Sequence, residues 1–185
     1  MYETYGYVLD YLKEGYPEDD RPSYMKESII QIIGDSRFTL LEATPKPKVE
    51  IEVYERVFVG KTDREKVGFI KRRIAYDDLT SAAKVELPYV VEKIVDAKKD
   101  EFIDWFNKAT PLTTRMHSLE LIPGIGKKIM WEMLSERKRK PFESFEDLAQ
   151  RVHLVPDPKK AVVKKIISEI QEMDKYYLFA NVMRK

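Results

Sequence analysis

Leu119-Glu120-Leu121-Ile122-Pro123-Gly124-Ile125-Gly126-Lys127-Lys128 is the stretch from which the architecture of this 185-residue chain is read. An apolar helical end, Leu119 to Ile122, runs into a Pro-Gly-Ile-Gly turn. A segment rich in Ile, Met, Trp and Leu follows at once behind two lysines and reads as a second helix. Two glycines permit a tight turn with positive backbone torsions and keep side chains out of the path of a close ligand. A helix that starts here turns its unpaired N–H groups outward at the positive end of its dipole, and such an end attracts anions, phosphate above all. Pro123 stiffens the turn, Ile125 plugs inward between the helices, and Lys127 and Lys128 add full charges. The plain alternative is a Gly-x-Gly turn that only reverses the chain.

A second copy lies 33 positions on. Leu121-Ile122-Pro123 falls on Leu154-Val155-Pro156, and Lys127-Lys128 has its counterpart in Lys159-Lys160. Ile129, Met130, Met133 and Leu134 are matched by Val162, Val163, Ile166 and Ile167. Ser144, three residues before Asp147, predicts a helix N-cap with Phe145 and Leu148 facing inward. These residues resemble the helix-hairpin-helix family, in its duplicated form, over about residues 111 to 175. The resemblance implies a grip on the sugar-phosphate backbone of nucleic acid. It implies a site of Pro123, Gly124, Ile125, Gly126, Lys127 and Lys128, with Lys159, Lys160 and Lys164 as additional point charges. The second turn, Val155-Pro156-Asp157-Pro158, lacks glycine and puts Asp157 where a phosphate would sit. Phosphate contact is therefore assigned mainly to the first hairpin.

Composition bounds the remaining possibilities. No cysteine is present, which excludes disulfides, cysteine zinc sites and cysteine nucleophiles and suits a reducing cytoplasm. The start of the chain shows no signal-peptide pattern, and no apolar run approaches the length of a membrane span. A soluble, cytoplasmic protein is expected. Lys and Arg number 33 against 32 Asp and Glu, a net charge of +1, which argues against a large basic footprint. The cations are clustered, however, at Lys71-Arg72-Arg73, Lys127-Lys128, Arg137 to Lys140, Lys159-Lys160 and Lys164-Lys165. The Arg137 to Lys140 run is either a solvated helix end that complements the dipole or a backbone contact.

The N-terminal half predicts five short strands: Tyr5 to Leu12, Ser28 to Ile33, Phe38 to Ala43, the strictly alternating Val49 to Val57, and Val67 to Ile74. Such a succession suggests a small Greek-key barrel similar to the OB-fold, with other small barrels as alternatives. Its fifth strand carries Arg72 and Arg73, which are counted with the binding residues. Its aromatics serve either as core or as base-stacking platforms. Asp77-Asp78-Leu79-Thr80 caps a turn or short helix. Leu87 to about Lys108 predicts one long bridging helix, and Pro111 starts the next, which runs to Leu121. The expected architecture is α+β, with an OB-like barrel over 1–80, a bridging helix over 81–110 and a duplicated helix-hairpin-helix domain over 111–185.

Enzyme motifs are not met. Gly60-Lys61-Thr62 is the tail of a phosphate loop, but Glu55 stands where its first glycine belongs. His117 and His153 have no partner at metal-ligand spacing, so neither a metal nor another cofactor is expected. Glu132, Glu136 and Asp157 read as ordinary surface charge. Taken over its full length, the chain resembles an archaeal family known as a domain of unknown function and presumed to bind nucleic acid. A non-catalytic binder is expected, RNA before DNA because the hairpin is paired with an OB-like barrel, as a monomer or weak dimer. The alternative is a protein-interaction adaptor or the recognition subunit of a repair or RNA-processing complex, with a protein partner at the flank of Trp131, Met130 and Met133.

Overall fold

A computed structural model describes residues 3–182. The described residues form two compact units, one drawn from residues up to Val90 and from Glu169 onward, the other Val91–Ser168.

The first unit is built on β1 (Tyr5–Leu12), β2 (Ile29–Gly34), β3 (Leu40–Pro45), β4 (Arg56–Phe58) and β5 (Val67–Arg73). They form one antiparallel sheet in the order β4-β1-β2-β3-β5. The return of β4 beside β1 is the Greek-key arrangement. β4 and β5 are the two edges, so the sheet is an open, curled half-barrel where a small OB-like barrel was expected. Irregular pairing at Val8/Asp10, Glu42/Ala43 and Thr44/Pro45 supplies the bends that curl it. Val8, Ile30, Ile32, Leu41, Ala43, Val57 and Val67 fill the hollow of the curl.

A polar row crosses the sheet. Asp10 stands opposite Gln31, Gln31 opposite Glu42, and Glu42 opposite Arg72. Glu42 accepts from the Tyr16 hydroxyl at 2.6 Å and pairs with Arg72 at 3.3 Å. Burial, reinforced by the hydrogen bond to Glu42, pushes the Tyr16 hydroxyl up to about 12. Gln31 donates to the carbonyl of Asp78 and accepts from the amide of Thr80, and the Thr80 hydroxyl donates to Asp10. The row thus fastens the entry of α1 (Ser81–Ala97) to the sheet.

Three expected elements are corrected. The alternating run from Val49 to Val57 is a regular strand only over β4. Lys48 and Tyr54 take positive φ of 62° and 68°, and the chain turns at Glu52–Glu55, so that ahead of β4 only Tyr54 and Glu55 bond to β1, both at Val8. Ile51 and Val57 are buried but Val53 is exposed. The bridging helix begins at Ser81, where the Thr80 hydroxyl accepts from the Ala83 amide, and is interrupted at Lys98 before α2 (Lys99–Lys108). The expected helix from Pro111 to Leu121 is instead a small hairpin, β6 (Pro111–Thr113) with β7 (Met116–His117), followed by a 3₁₀ turn over Ser118–Leu121. The β-branched Thr113 and Thr114 and the helix-poor Pro111 favour the extended form.

The second unit continues with α3 (Lys127–Arg139), α4 (Phe145–Arg151) and α5 (Pro158–Ile170). Ser144 caps α4 as expected, its hydroxyl accepting from the Asp147 amide at 3.0 Å. Phe106, Leu119, Ile122, Met133, Leu148 and Val162 lie at the centre of this unit, none more than 1% exposed. Burying such side chains contributes roughly 1.5–3 kcal/mol each.

Candidate nucleic-acid interface

The turn after Leu121 is built as its sequence requires. Ile125 N–H donates to the carbonyl of Ile122 at 3.0 Å, closing a four-residue turn. Pro123 occupies the second position, and Gly124, at φ 86°, the third, where a type II turn requires a positive torsion. A side chain at Gly124 would also strike Pro156, whose Cγ lies 2.7 Å from where the Cβ would be. The first turn therefore packs against the second. Ile122 and Ile125 point inward, 1% and 3% exposed, while Pro123, Gly124, Gly126, Lys127 and Lys128 are exposed.

Gly126 has a different role from Gly124. Its φ of −86° is open to any residue, which corrects the expectation that both glycines adopt positive torsions. Nothing lies within 4 Å of the position a Cβ would take. It stands at the N-cap of α3 and supplies no side-chain cap. The first amides of the helix therefore have no side-chain cap, and the exposed Lys127 and Lys128 stand beside them. Among the described residues neither lysine is salt-bridged to a carboxylate.

The second turn is closed by its own acid. Asp157 Oδ1 accepts from the Lys160 amide at 3.0 Å and Asp157 Oδ2 lies 3.8 Å from Lys160 Nζ. The site that a phosphate would use on α5 is filled by a carboxylate of the chain. Leu154, at φ 60° and 82% exposed, takes the bend that a glycine would otherwise make. The helix starts at Lys127 and Pro158 lie 31 residues apart, so the 33-residue sequence shift does not carry over to the helices. Nor is the first turn preceded by an α-helix, as the second is by α4.

The remaining candidates separate. Lys159 is committed to Glu92 and Asp96, both at 3.0 Å, and Glu92, then Asp96, hold its ammonium above the usual lysine range. Lys164 is exposed on α5. Arg72 and Arg73 belong to the first unit, where Arg72 pairs with Glu42 and Arg73 donates to the carbonyl of Asn181 at 2.7 Å. In the Arg137 to Lys140 run, Arg137 donates to the carbonyls of Phe106 and Ala109, both at 2.9 Å, at the end of α2. Arg139 pairs with Glu136 and Lys140 with Glu143. Three of these four cations thus serve the fold.

The carboxylates near the turns are also engaged. Glu132 accepts from the His153 amide at 2.9 Å and meets its ring at 2.7 Å, and the amide first, then the ring, holds its carboxyl below the usual range. Glu136 pairs with Arg139 and Arg151. No group of three or more His, Asp or Glu that could hold a metal occurs among the described residues. Two structural residues gave no warning in the sequence. Arg151 donates to the carbonyls of Glu136, Lys140 and Pro141 and pairs with Asp147, tying the end of α3 to α4. His117, 6% exposed, accepts from the Leu119 amide through Nδ1 and caps the 3₁₀ turn before the site.

No helix among the described residues is long and apolar enough to cross a membrane. A family model described as a protein of unknown function, DUF655, matches residues 2–181. Among curated proteins, the uncharacterized protein MJ0038 of Methanocaldococcus jannaschii is 46% identical over 180 residues, covering 96% of this chain and 80% of that protein. Among solved structures, Af1531 of Archaeoglobus fulgidus, titled as a DUF655 family model, is 48% identical with a TM-score of 0.89. That match covers 97% of this chain and all of the other.

Proposed function

Because the chain belongs to the DUF655 family of unknown function, we propose its role from its geometry: a non-catalytic protein that holds the phosphate backbone of nucleic acid at the start of α3. The reading rests on the contrast between two neighbouring helix starts. Asp157 caps α5 with its own carboxylate, whereas Gly126 leaves the start of α3 uncapped and open. Backbone amides at a helix start, backed by Lys127 and Lys128, suit one phosphate group. The arrangement amounts to a helix-hairpin-helix grip in which a 3₁₀ turn replaces the first helix and the second hairpin is a buttress. Lys164 adds charge, Lys159 serves the fold instead, and the exposed Lys160 has Asp157 beside it.

The curled sheet, as an OB-like surface carrying Arg72 and Arg73, offers a second contact, and its pairing with the hairpin favours RNA over DNA. Contacts of this kind position a strand without reading its bases. Binding of generic RNA and DNA oligonucleotides across a salt series tests the proposal. With Lys127→Glu and Lys128→Glu together, affinity should fall and the slope of log affinity against log salt should shrink by about 1 for the one phosphate lost. Unchanged affinity and slope would remove the hairpin from the interface. One observation favours a protein partner instead: Trp131 and Leu154, 65% and 82% exposed, offer apolar surface on this unit. That reading requires the wild-type chain to show no salt-dependent binding to either nucleic acid.

A further inference from the structure

The open side of the half-barrel forms a cleft. β4 and β5 do not pair, and the chain that follows β4 faces β5 across a cleft of about 600 Å³. That volume lies within the range of small-molecule sites. Leu41, Val59 and Ile70 give the cleft an apolar floor. Lys61, Arg64, Arg72 and Arg73 stand around it.

The three guanidinium groups are each held by groups of the chain, two of them, Gly60 and Asn181, also lining the cleft. Arg64 donates to the carbonyls of Gly60 at 2.8 Å and Gly68 at 3.1 Å, which ties the loop after β4 to β5. Arg73 is held by the carbonyl of Asn181 and Arg72 by Glu42. Each bond orients a guanidinium while using one or two of its five N–H donors. Glu3, the one acid among the described residues that lines the cleft, is already bonded to the amides of Ser36, Arg37 and Thr39. The rim therefore carries an excess of oriented positive charge above an apolar floor. An inorganic anion would leave the floor uncovered, and a neutral apolar molecule would make no use of the remaining N–H donors at the rim. A ligand with an anionic group at one end and a flat, weakly polar ring at the other satisfies both.

We propose that this cleft binds a nucleotide, with the ring against Leu41, Val59 and Ile70 and the phosphate among Lys61, Arg64, Arg72 and Arg73. The site shares Arg72 and Arg73 with the second surface proposed above, but it does not depend on the hairpin. Calorimetry of the full chain with adenosine 5′-monophosphate, inorganic phosphate and adenosine provides the test. The monophosphate should bind about tenfold or more tightly than either fragment, since each lacks one half of the contacts. Arg73→Glu and, separately, Lys61→Glu should each weaken it about tenfold or more. Lys61 lies in a loop outside every strand, so its reversal reports on the site even if Arg73→Glu disturbs folding. The Lys127→Glu, Lys128→Glu variant should bind the monophosphate as the wild type does, which separates this site from the hairpin. Competition by a 5′-phosphorylated oligonucleotide at lower concentration would assign the site to a strand end, and its failure to compete would assign it to a free nucleotide. The proposal is overturned if the monophosphate binds no tighter than inorganic phosphate, if it does not bind, or if Lys61→Glu leaves its affinity unchanged.

Discussion

At Gly124 and Gly126 one residue type serves two purposes. Gly124 is required by the backbone, since its φ is 86° and Pro156 occupies the space of a side chain. Gly124→Ala should lower stability by about 1–3 kcal/mol, measured by chemical denaturation, from backbone strain and the clash with Pro156 together. Gly126 is not required by the fold, so an aspartate there should cap α3 as Asp157 caps α5. Gly126→Asp should leave stability unchanged or raise it by up to about 1 kcal/mol. His117 adds a pH dependence. Burial first, then the charge of Arg137, depresses its pKa, and its Nδ1 must stay unprotonated to accept from Leu119. With a native pKa below the unfolded value of about 6.5, the unfolded chain takes up the proton first. Its contribution is therefore complete above about pH 6.5 and is lost as pH falls from there through the lower native value. Melting temperature should drop between pH 7 and pH 5, and the part due to His117 should vanish in His117→Gln.

Among the elements, legibility followed how local the signal was. β1, β2, β3 and β5 stand close to where their apolar and β-branched runs place them, because those side chains pack on the sheet they define. The Val49–Val57 run failed because Tyr54 takes a left-handed torsion that alternation does not reveal. The helix expected before the turn failed because Leu119 and Ile122 are buried from a 3₁₀ turn as readily as from an α-helix. Charge was less readable still. Arg151 looked like one cation among many, yet its guanidinium joins α3 to α4 and lies 4.8 Å from the Phe142 ring. Arg151→Ala should cost about 2 kcal/mol in denaturant unfolding, since it leaves several carbonyls and Asp147 without their partner. Arg151→Lys should recover only part of this, because an ammonium cannot reproduce the planar fork. Equal stability of Arg151→Ala and wild type would show that these bonds merely replace bonds to water.

Across the whole molecule, a net charge of +1 is compatible with an anion site because the charges are unevenly used, several cations being committed to groups of the chain. Lys159, Arg137, Arg139, Lys140 and Arg151 all serve carboxylates or carbonyls of the chain. Composition alone could not separate them from Lys127 and Lys128, since both groups read as basic clusters. The turn itself was readable because glycine, proline and aspartate constrain backbone and caps within a few residues. The half-barrel's open side was not, because it depends on an edge pairing that fails to form. The measurement that bears most directly on the proposed grip is a fluorescence anisotropy titration of a generic oligonucleotide at low salt with wild type and Gly126→Asp, alongside their thermal melts. Wild type is expected to bind with steep salt dependence, and Gly126→Asp to lose that binding while melting no lower than wild type. Undiminished binding by Gly126→Asp, or no binding by the wild type, would contradict a phosphate grip at the start of α3.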